Sequence, residues 1–241
     1  QRGIDALEGL NLHLRRGEIL GIAGVDGNGQ QELVEAITGL RKVESGQILL
    51  SGEDIVSHPI RSRMEGGIAY IPEDRQRRGL VMDFRLDENL ALKTYNKEPL
   101  SHGFLLDHEA IKEKAKEIIG LFDVRSSEGT ETIVRNMSGG NQQKAIIGRE
   151  VDLDPLVMIA SQPTRGLDVG AIEYIHKRLI ELRDDQKAVL LVSFELDEIM
   201  SVSDRINVIY HGRITGDVKP EETTTQELGL MMSGSKEGPL V

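Results

Sequence analysis

Residues Glu18 to Thr38 hold the arrangement that most limits how this chain can fold. Glu18-Ile19-Leu20-Gly21-Ile22-Ala23 is a nearly unbroken apolar run, which suits a strand buried on both faces of a parallel sheet. Gly24-Val25-Asp26-Gly27-Asn28-Gly29 follows as a glycine loop. Gln30 to Thr38 then places Leu33, Val34 and Ile37 on one helical face, with Gly39 as a stop. Strand, glycine loop and helix in this order bring backbone N–H groups together at a helix N-terminus, where they can meet an anion.

The remaining chain repeats the alternation of strands and helices. Leu7 to Leu14 alternates loosely and reads as a strand, and Ser45 to Gly52 as a turn with a short antiparallel strand. Gly67 to Pro72, Leu156 to Ala160 and Ala188 to Val192 are further buried-strand candidates, the last two separated by a helix from Val169 to Arg183. From about Asp87 to Glu150 the pattern is helical, over Glu88–Tyr95, His108–Phe122 and Gly139–Val151. Ile206 to Thr215 reads as a hairpin. The expectation is an α/β fold: a mostly parallel sheet core with an antiparallel β region and an inserted helical subdomain. Residues 1–83 and 153–216 would form the core, 84–152 the helical subdomain, and 217–241 a polar, flexible tail.

Composition removes several classes of function. The chain has no cysteine, so thiolate metal sites, disulfides and cysteine nucleophiles are excluded. Forty acidic against 29 basic residues give a net charge of −11, which disfavours sequence-independent binding to nucleic acid or anionic lipid. No apolar run approaches the roughly 18 residues of a membrane span, and no basic start followed by an apolar stretch marks the first residues. His13, His58, His102, His108, His176 and His211 show no metal-ligand spacing and read as surface or turn residues, so no metal site is expected.

Gly24-x-x-x-x-Gly29 has the spacing of a phosphate loop, with Gly24, Gly27, Asn28, Gly29, Gln30 and Gln31 as candidate binding residues. Such a loop should continue with Lys and then Ser or Thr, for phosphate charge and magnesium. Gln30 and Gln31 stand there instead, which removes a charged hydrogen bond of roughly 1.5–3 kcal/mol. A plain strand–turn–helix connection is an equal reading of the loop alone. Further along, Met137-Ser138-Gly139-Gly140-Asn141-Gln142-Gln143 opens another helix with a Ser and two glycines. Ala160-Ser161-Gln162-Pro163-Thr164-Arg165-Gly166-Leu167-Asp168 follows an apolar strand, and Ser193-Phe194-Glu195 ends the next one.

In this order and spacing the chain resembles the ATP-binding domain of ABC transporters, from about Ala6 to Gly216. It looks most like the second half of tandem importers for ribose-type sugars and purine nucleosides, and Ala-x-Gln-Pro-Thr leans toward the nucleoside importers. The resemblance implies a P-loop NTPase core and a RecA-like sheet. It also implies an own site without intact catalytic residues: Ser161 and Gln162 stand where the family has Asp and Glu, and Phe194 where it has a switch His. ATP is then expected to bind weakly at this site, with magnesium doubtful and no hydrolysis by the chain alone. Ser138, Gly139, Gly140, Asn141, Gln142 and Asp168 would instead complete the site of an intact partner domain, expected as a fused N-terminal half because the chain starts where such domains finish their first strand. Glu73-Asp74-Arg75-Gln76-Arg77-Arg78, otherwise a solvated loop or a basic patch, becomes the segment that couples to the membrane domain. Two transmembrane permease subunits and, indirectly, an extracytoplasmic solute-binding protein are the further partners, at the cytoplasmic face of the membrane. Two other readings stay open: a non-transport member of the superfamily acting in DNA repair or translation, and an interaction module that binds no nucleotide.

Overall fold

The computed structural model describes residues 6–239. They form two compact units, one of residues up to 70 with 156–162 and 176 onward, the other of residues 71–155 and 163–175. In chain order come β1 (Glu18–Ala23), α1 (Gln30–Thr38), the two-residue strands β2 (Leu49–Leu50) and β3 (Glu53–Asp54), α2 (Ile60–Glu65) and β4 (Ile68–Ile71). Next are α3 (Leu86–Ala91), β5 (Ser101–His102), β6 (Leu105–Leu106), α4 (His108–Leu121) and α5 (Gly139–Val151). The chain continues with β7 (Val157–Ser161), α6 (Val169–Asp184), β8 (Ala188–Val192), α7 (Leu196–Val202), β9 (Arg205–Tyr210), β10 (Arg213–Val218) and α8 (Thr225–Met232).

The first unit is built on a six-stranded sheet in the order β10-β9-β1-β8-β7-β4. β1 runs parallel to β8 and β9, β7 parallel to β8, and β10 antiparallel to β9. All six residues of β1 and all five of β8 are buried, as continuous apolar runs in a two-faced parallel sheet must be. Leu20, Ile22, Ile159, Leu190 and Val192 share a core cluster with Leu33 and Val34 of α1. Truncating such a side chain to Ala costs about 2–5 kcal/mol. Ile22 of β1 and Ser161 of β7 both pair with Val192 of β8. The carboxyl ends of three adjacent parallel strands therefore lie level, which is where open α/β sheets bind ligands.

Arg63 fixes the far end of α1. It is buried and donates to the carbonyls of Ala36 at 2.6 Å, Ile37 at 2.8 Å, Val56 at 2.7 Å and His58 at 3.0 Å. Burial lowers its pKa, with Asp54 acting the other way, and the carbonyl end of α1 is a favourable place for a cation.

In the second unit α3 packs on α4 and α5. A buried network holds it: Glu150 accepts from Lys93 at 2.6 Å and from Arg149 at 3.1 Å, while Arg149 also reaches the Gly79 carbonyl at 2.9 Å. Burial pushes the Lys93 ammonium below its usual range, against the pull of Glu150.

Some expectations change. Residues 7–14 form no strand; Leu7, Leu10, Leu12 and Leu14 pack half-buried on the core without a ladder of backbone bonds. The helical stretch contains the hairpin β5–β6, and its first helix is Leu86–Ala91 rather than Glu88–Tyr95. The expected flexible tail is structured through residue 239: β10 runs to Val218, and α8 begins at a Thr224–Glu227 capping box and buries Leu228 and Met231. Gly238 N then donates to the Thr215 carbonyl at 2.8 Å. His176, expected on the surface, lies in α6 with its Nε2 2.8 Å from the buried Glu198 carboxylate.

Candidate functional site

β1 delivers the glycine loop directly to α1. Gly27 (φ +85°) and Gly29 (φ +109°) adopt left-handed backbone, which a side chain would strain. Gly29 caps α1 without a side-chain bond. The side chains of Asn28, Gln30 and Gln31 turn to intrachain partners, while Asp26 is exposed. Gln30 is 3% exposed, and its Nε2 donates to the Val25 carbonyl at 3.1 Å. A Cβ on Gly24 would overlap that same amide. Gln31 Nε2 donates to Glu35 Oε1 at 3.0 Å. Asn28 Oδ1 accepts from His211 N at 3.1 Å and its carbonyl accepts from Gly212 N at 2.9 Å, tying the loop to the β9–β10 turn.

Ser161 and Gln162 follow at the end of β7, both buried. Gln162 N donates to the Val192 carbonyl at 2.8 Å, and its φ of +49° is rare for a residue with a side chain. Its Nε2 is buried with no hydrogen-bond acceptor among the described residues, an omission that costs about 1–3 kcal/mol. Phe194 is half-buried between β8 and α7 and presents no polar atom.

Ser138, Gly139 and Gly140 open α5 in the second unit. Ser138 is exposed, and its Oγ accepts from Asn141 N at 3.4 Å and Asn141 Nδ2 at 2.9 Å. Both bonds use the oxygen; the hydroxyl proton has no acceptor among the described residues. Asn141 Oδ1 accepts from Arg125 N at 2.8 Å, so this side chain is a brace for the loop before the helix. Gln142 is 2% exposed and donates to the carbonyls of Val134 and Met137, so it faces inward rather than outward. Asp168 is exposed and caps α6 by accepting from Ala171 N at 2.9 Å. A Cβ on Gly140 would stand 3.2 Å from Ala171 Cβ and 3.8 Å from Asp168 Oδ2, so the start of α5 and the start of α6 meet closely.

The sequence placed Arg75 within the expected coupling segment but gave no sign of its partners. Arg75 opens a one-turn π-helix (Arg75–Gly79) inside the basic run, and its Nη1 donates to the Arg165 carbonyl at 2.9 Å. Asp74, which caps that turn through Oδ1, was the available sign that a helical turn begins there. Among the described residues no group of three or more His, Cys, Asp or Glu side chains is gathered to hold a metal ion, and no helix is long and apolar enough to cross a membrane.

A family model described as ABC transporter matches residues 7–165. The chain belongs to the ABC transporter family. A guanosine import ATP-binding protein of Bacillus subtilis is 56% identical to this ABC chain over 234 residues, 97% of the chain and 46% of that relative. A nucleoside import ATP-binding protein of Lactococcus lactis is 56% identical over 233 residues, again 97% and 46% of the two chains. The ABC chain thus spans about half the length of these curated relatives. A nucleotide-free ATP-binding cassette from an ABC transporter matches at a TM-score of 0.78 with 22% identity, over 97% of this chain and 91% of that one. A dimeric bacterial ABC transporter cassette matches at 0.76 with 24% identity, over 90% and 91%. The mixed α/β fold with a mostly parallel core is that of ABC cassettes.

Proposed function

We propose that this chain is the degenerate ATP-binding half of a nucleoside importer, and that it supplies a signature segment to the hydrolytic site of an intact partner half. The names of the two relatives at 56% identity support import of a nucleoside, and their roughly doubled length supports a partner half on the same polypeptide. Two permease subunits would carry the solute, with a solute-binding protein feeding them from outside, and the chain would act at the cytoplasmic face of the membrane. Within it, 84–152 would serve as the helical subdomain on the core of 1–83 and 153–216.

The observation that carries the reading is the contrast in hydrogen bonding. At the chain's own loop the backbone amides suit a phosphate, but the Gln30 amide is already bonded to Val25 and adds no charge. ATP would bind there weakly. The donor set does not suit magnesium, a hard cation that prefers carboxylate and hydroxyl oxygens: Gln31 stands in place of the hydroxyl, Ser161 in place of the carboxylate, and Gln162 turns an unbonded Nε2 inward. Gln162 cannot accept a proton from water, and Phe194 cannot touch a phosphate. At Ser138 the hydroxyl proton and the first amides of α5 remain to donate to the γ-phosphate of ATP held by the partner. ATP would join the two halves, and hydrolysis at the partner's site would release them.

Solute uptake and ATPase rate of the full assembly, at matched expression, test this. Ser138→Arg should lower both more than about 100-fold, because a bulky cation fills the phosphate approach. Gln30→Ala should lower them less than about twofold, since an affinity site alone is touched. Equal losses, or a larger loss for Gln30→Ala, would refute the asymmetric reading.

A further inference from the structure

Arg75 connects three segments that lie far apart in sequence. Its backbone begins the π-helical turn at 75–79, held by Asp74 Oδ1 accepting from Gln76 N at 3.1 Å and Arg77 N at 3.0 Å. Its Nη1 donates to the carbonyl of Arg165, 90 residues further on, at 2.9 Å. Its Nη2 lies 3.0 Å from the place a Cβ would take on Gly139, the first residue of α5, and 3.9 Å from the same place on Gly166. One side chain therefore spans the basic turn, the start of the signature helix and the Arg165–Gly166 bend that leads to Asp168.

The electrostatics of this position are incomplete. Among the described residues the Arg75 guanidinium has no carboxylate within ion-pair distance, and the Arg165 carbonyl is its one hydrogen-bond partner. It stands instead beside the positive end of a 13-residue helix, where like sign repels and an anion would relieve both. Arg77 points outward, with its contact to Asp74 at 3.8 Å, and Gln76 is exposed. Gly166 gives the bend a left-handed φ of +69°, a conformation that a residue with a side chain adopts only with strain.

We propose that Arg75 is a positioning residue of the signature segment, clamping the Arg165–Gly166 bend to the first turn of α5 and making that clamp depend on the position of residues 74–79. The inference rests on the reading that Ser138–Gly140 face a partner's phosphate. Its arrival draws the guanidinium in and fixes the basic turn; displacement of the turn withdraws the guanidinium and frees the bend before Asp168. The coupling is reciprocal, as any coupling between two binding events must be.

The full-length ATP-binding protein with its permeases in proteoliposomes tests this. For Arg75→Ala, kcat of ATP hydrolysis should fall about tenfold while KM for ATP stays within about twofold, because an arrangement for reaction is lost rather than a binding contact. Arg75→Lys should recover part of kcat, since an ammonium reaches the Arg165 carbonyl but not the space beside Gly139. If Arg75→Ala fails to fold, Arg75→Lys decides the matter, a kcat equal to that of the native protein counting against the clamp. A fluorophore on Gln76→Cys, in an assembly whose cysteines outside this cysteine-free chain have been replaced, should change signal with ATP in the native background and lose that change with Arg75→Ala. Full kcat together with an intact ATP-dependent signal in Arg75→Ala would overturn the proposal. If Ser138→Arg abolishes hydrolysis in the same preparation, only the role of Arg75 falls; if Ser138→Arg is also silent, the reading of the signature segment falls.

Discussion

The loop before α1 and the segment opening α5 are both glycine-rich helix N-termini, and they differ in where their polar groups point. At residues 24–31 the side chains of Asn28, Gln30 and Gln31 each have a partner within the chain. At residues 138–140 the glycines are half-exposed, and among the described residues the Ser138 hydroxyl proton has no acceptor and the Arg75 guanidinium alongside has no carboxylate partner. A ligand reaching the first site competes with bonds already made, each of net value about 0.5–1.5 kcal/mol. A ligand reaching the second completes bonds that are otherwise missing. Glycine spacing shows that an anion could fit; the bonds of the neighbouring side chains show whether it is wanted.

Restoring the missing charge should bring the two regions closer together. Gln30→Lys combined with Gln31→Thr should tighten ATP binding by the isolated chain about 10–100-fold and make it depend on magnesium, since a charged hydrogen bond adds roughly 1.5–3 kcal/mol. Calorimetric titration reads this, and an unchanged affinity would remove the loop from consideration as a nucleotide site. Asn28→Ala should cost about 1 kcal/mol by losing the bond to His211 N, seen as a lower urea midpoint at constant slope. A cost near zero would show that the loop does not need its tie to the β9–β10 turn. The smallest effect is expected of Gln162→Glu, which should give no measurable turnover on its own. It returns a general base while the lysine, hydroxyl and histidine are still absent, and such groups act as a unit. Appreciable hydrolysis by that variant would make the chain's own site far less degenerate than proposed.

β1, α1, α5 and β8 have the bounds that their sequence patterns predict. In each case a continuous apolar run or a helical stripe coincides with a glycine, a Ser cap or a strand end, so several local signals agree. Elements with one weak signal were not legible. β5 and β6 have two residues each, too few for any period, and Leu105 and Leu106 looked like part of a helical stretch. α8 lies in a polar segment whose Thr224-x-x-Glu227 box announces a helix that composition conceals. The candidate site could be read from the sequence only as a set of positions, without the directions of its side chains. Gln30 can donate to a phosphate or to Val25, and Gln142 can face outward or reach Val134; only the folded loop and the packed face of α5 decide. The partners of Arg75 were hidden for the opposite reason, since Gly139 and Arg165 are brought to it by the fold alone.

The bond from Gln30 to Val25 also bears on how the chain survives in a cell. A ligand that binds only the folded state protects it in proportion to the logarithm of its occupancy, so a domain that relies on nucleotide becomes easier to unfold and degrade when ATP is scarce. Here an amide of the chain's own takes over the inside of the loop, and the fold is held by bonds that do not vary with the supply of adenylate. A loop filled in this way should leave the thermal midpoint of the chain nearly the same with and without ATP.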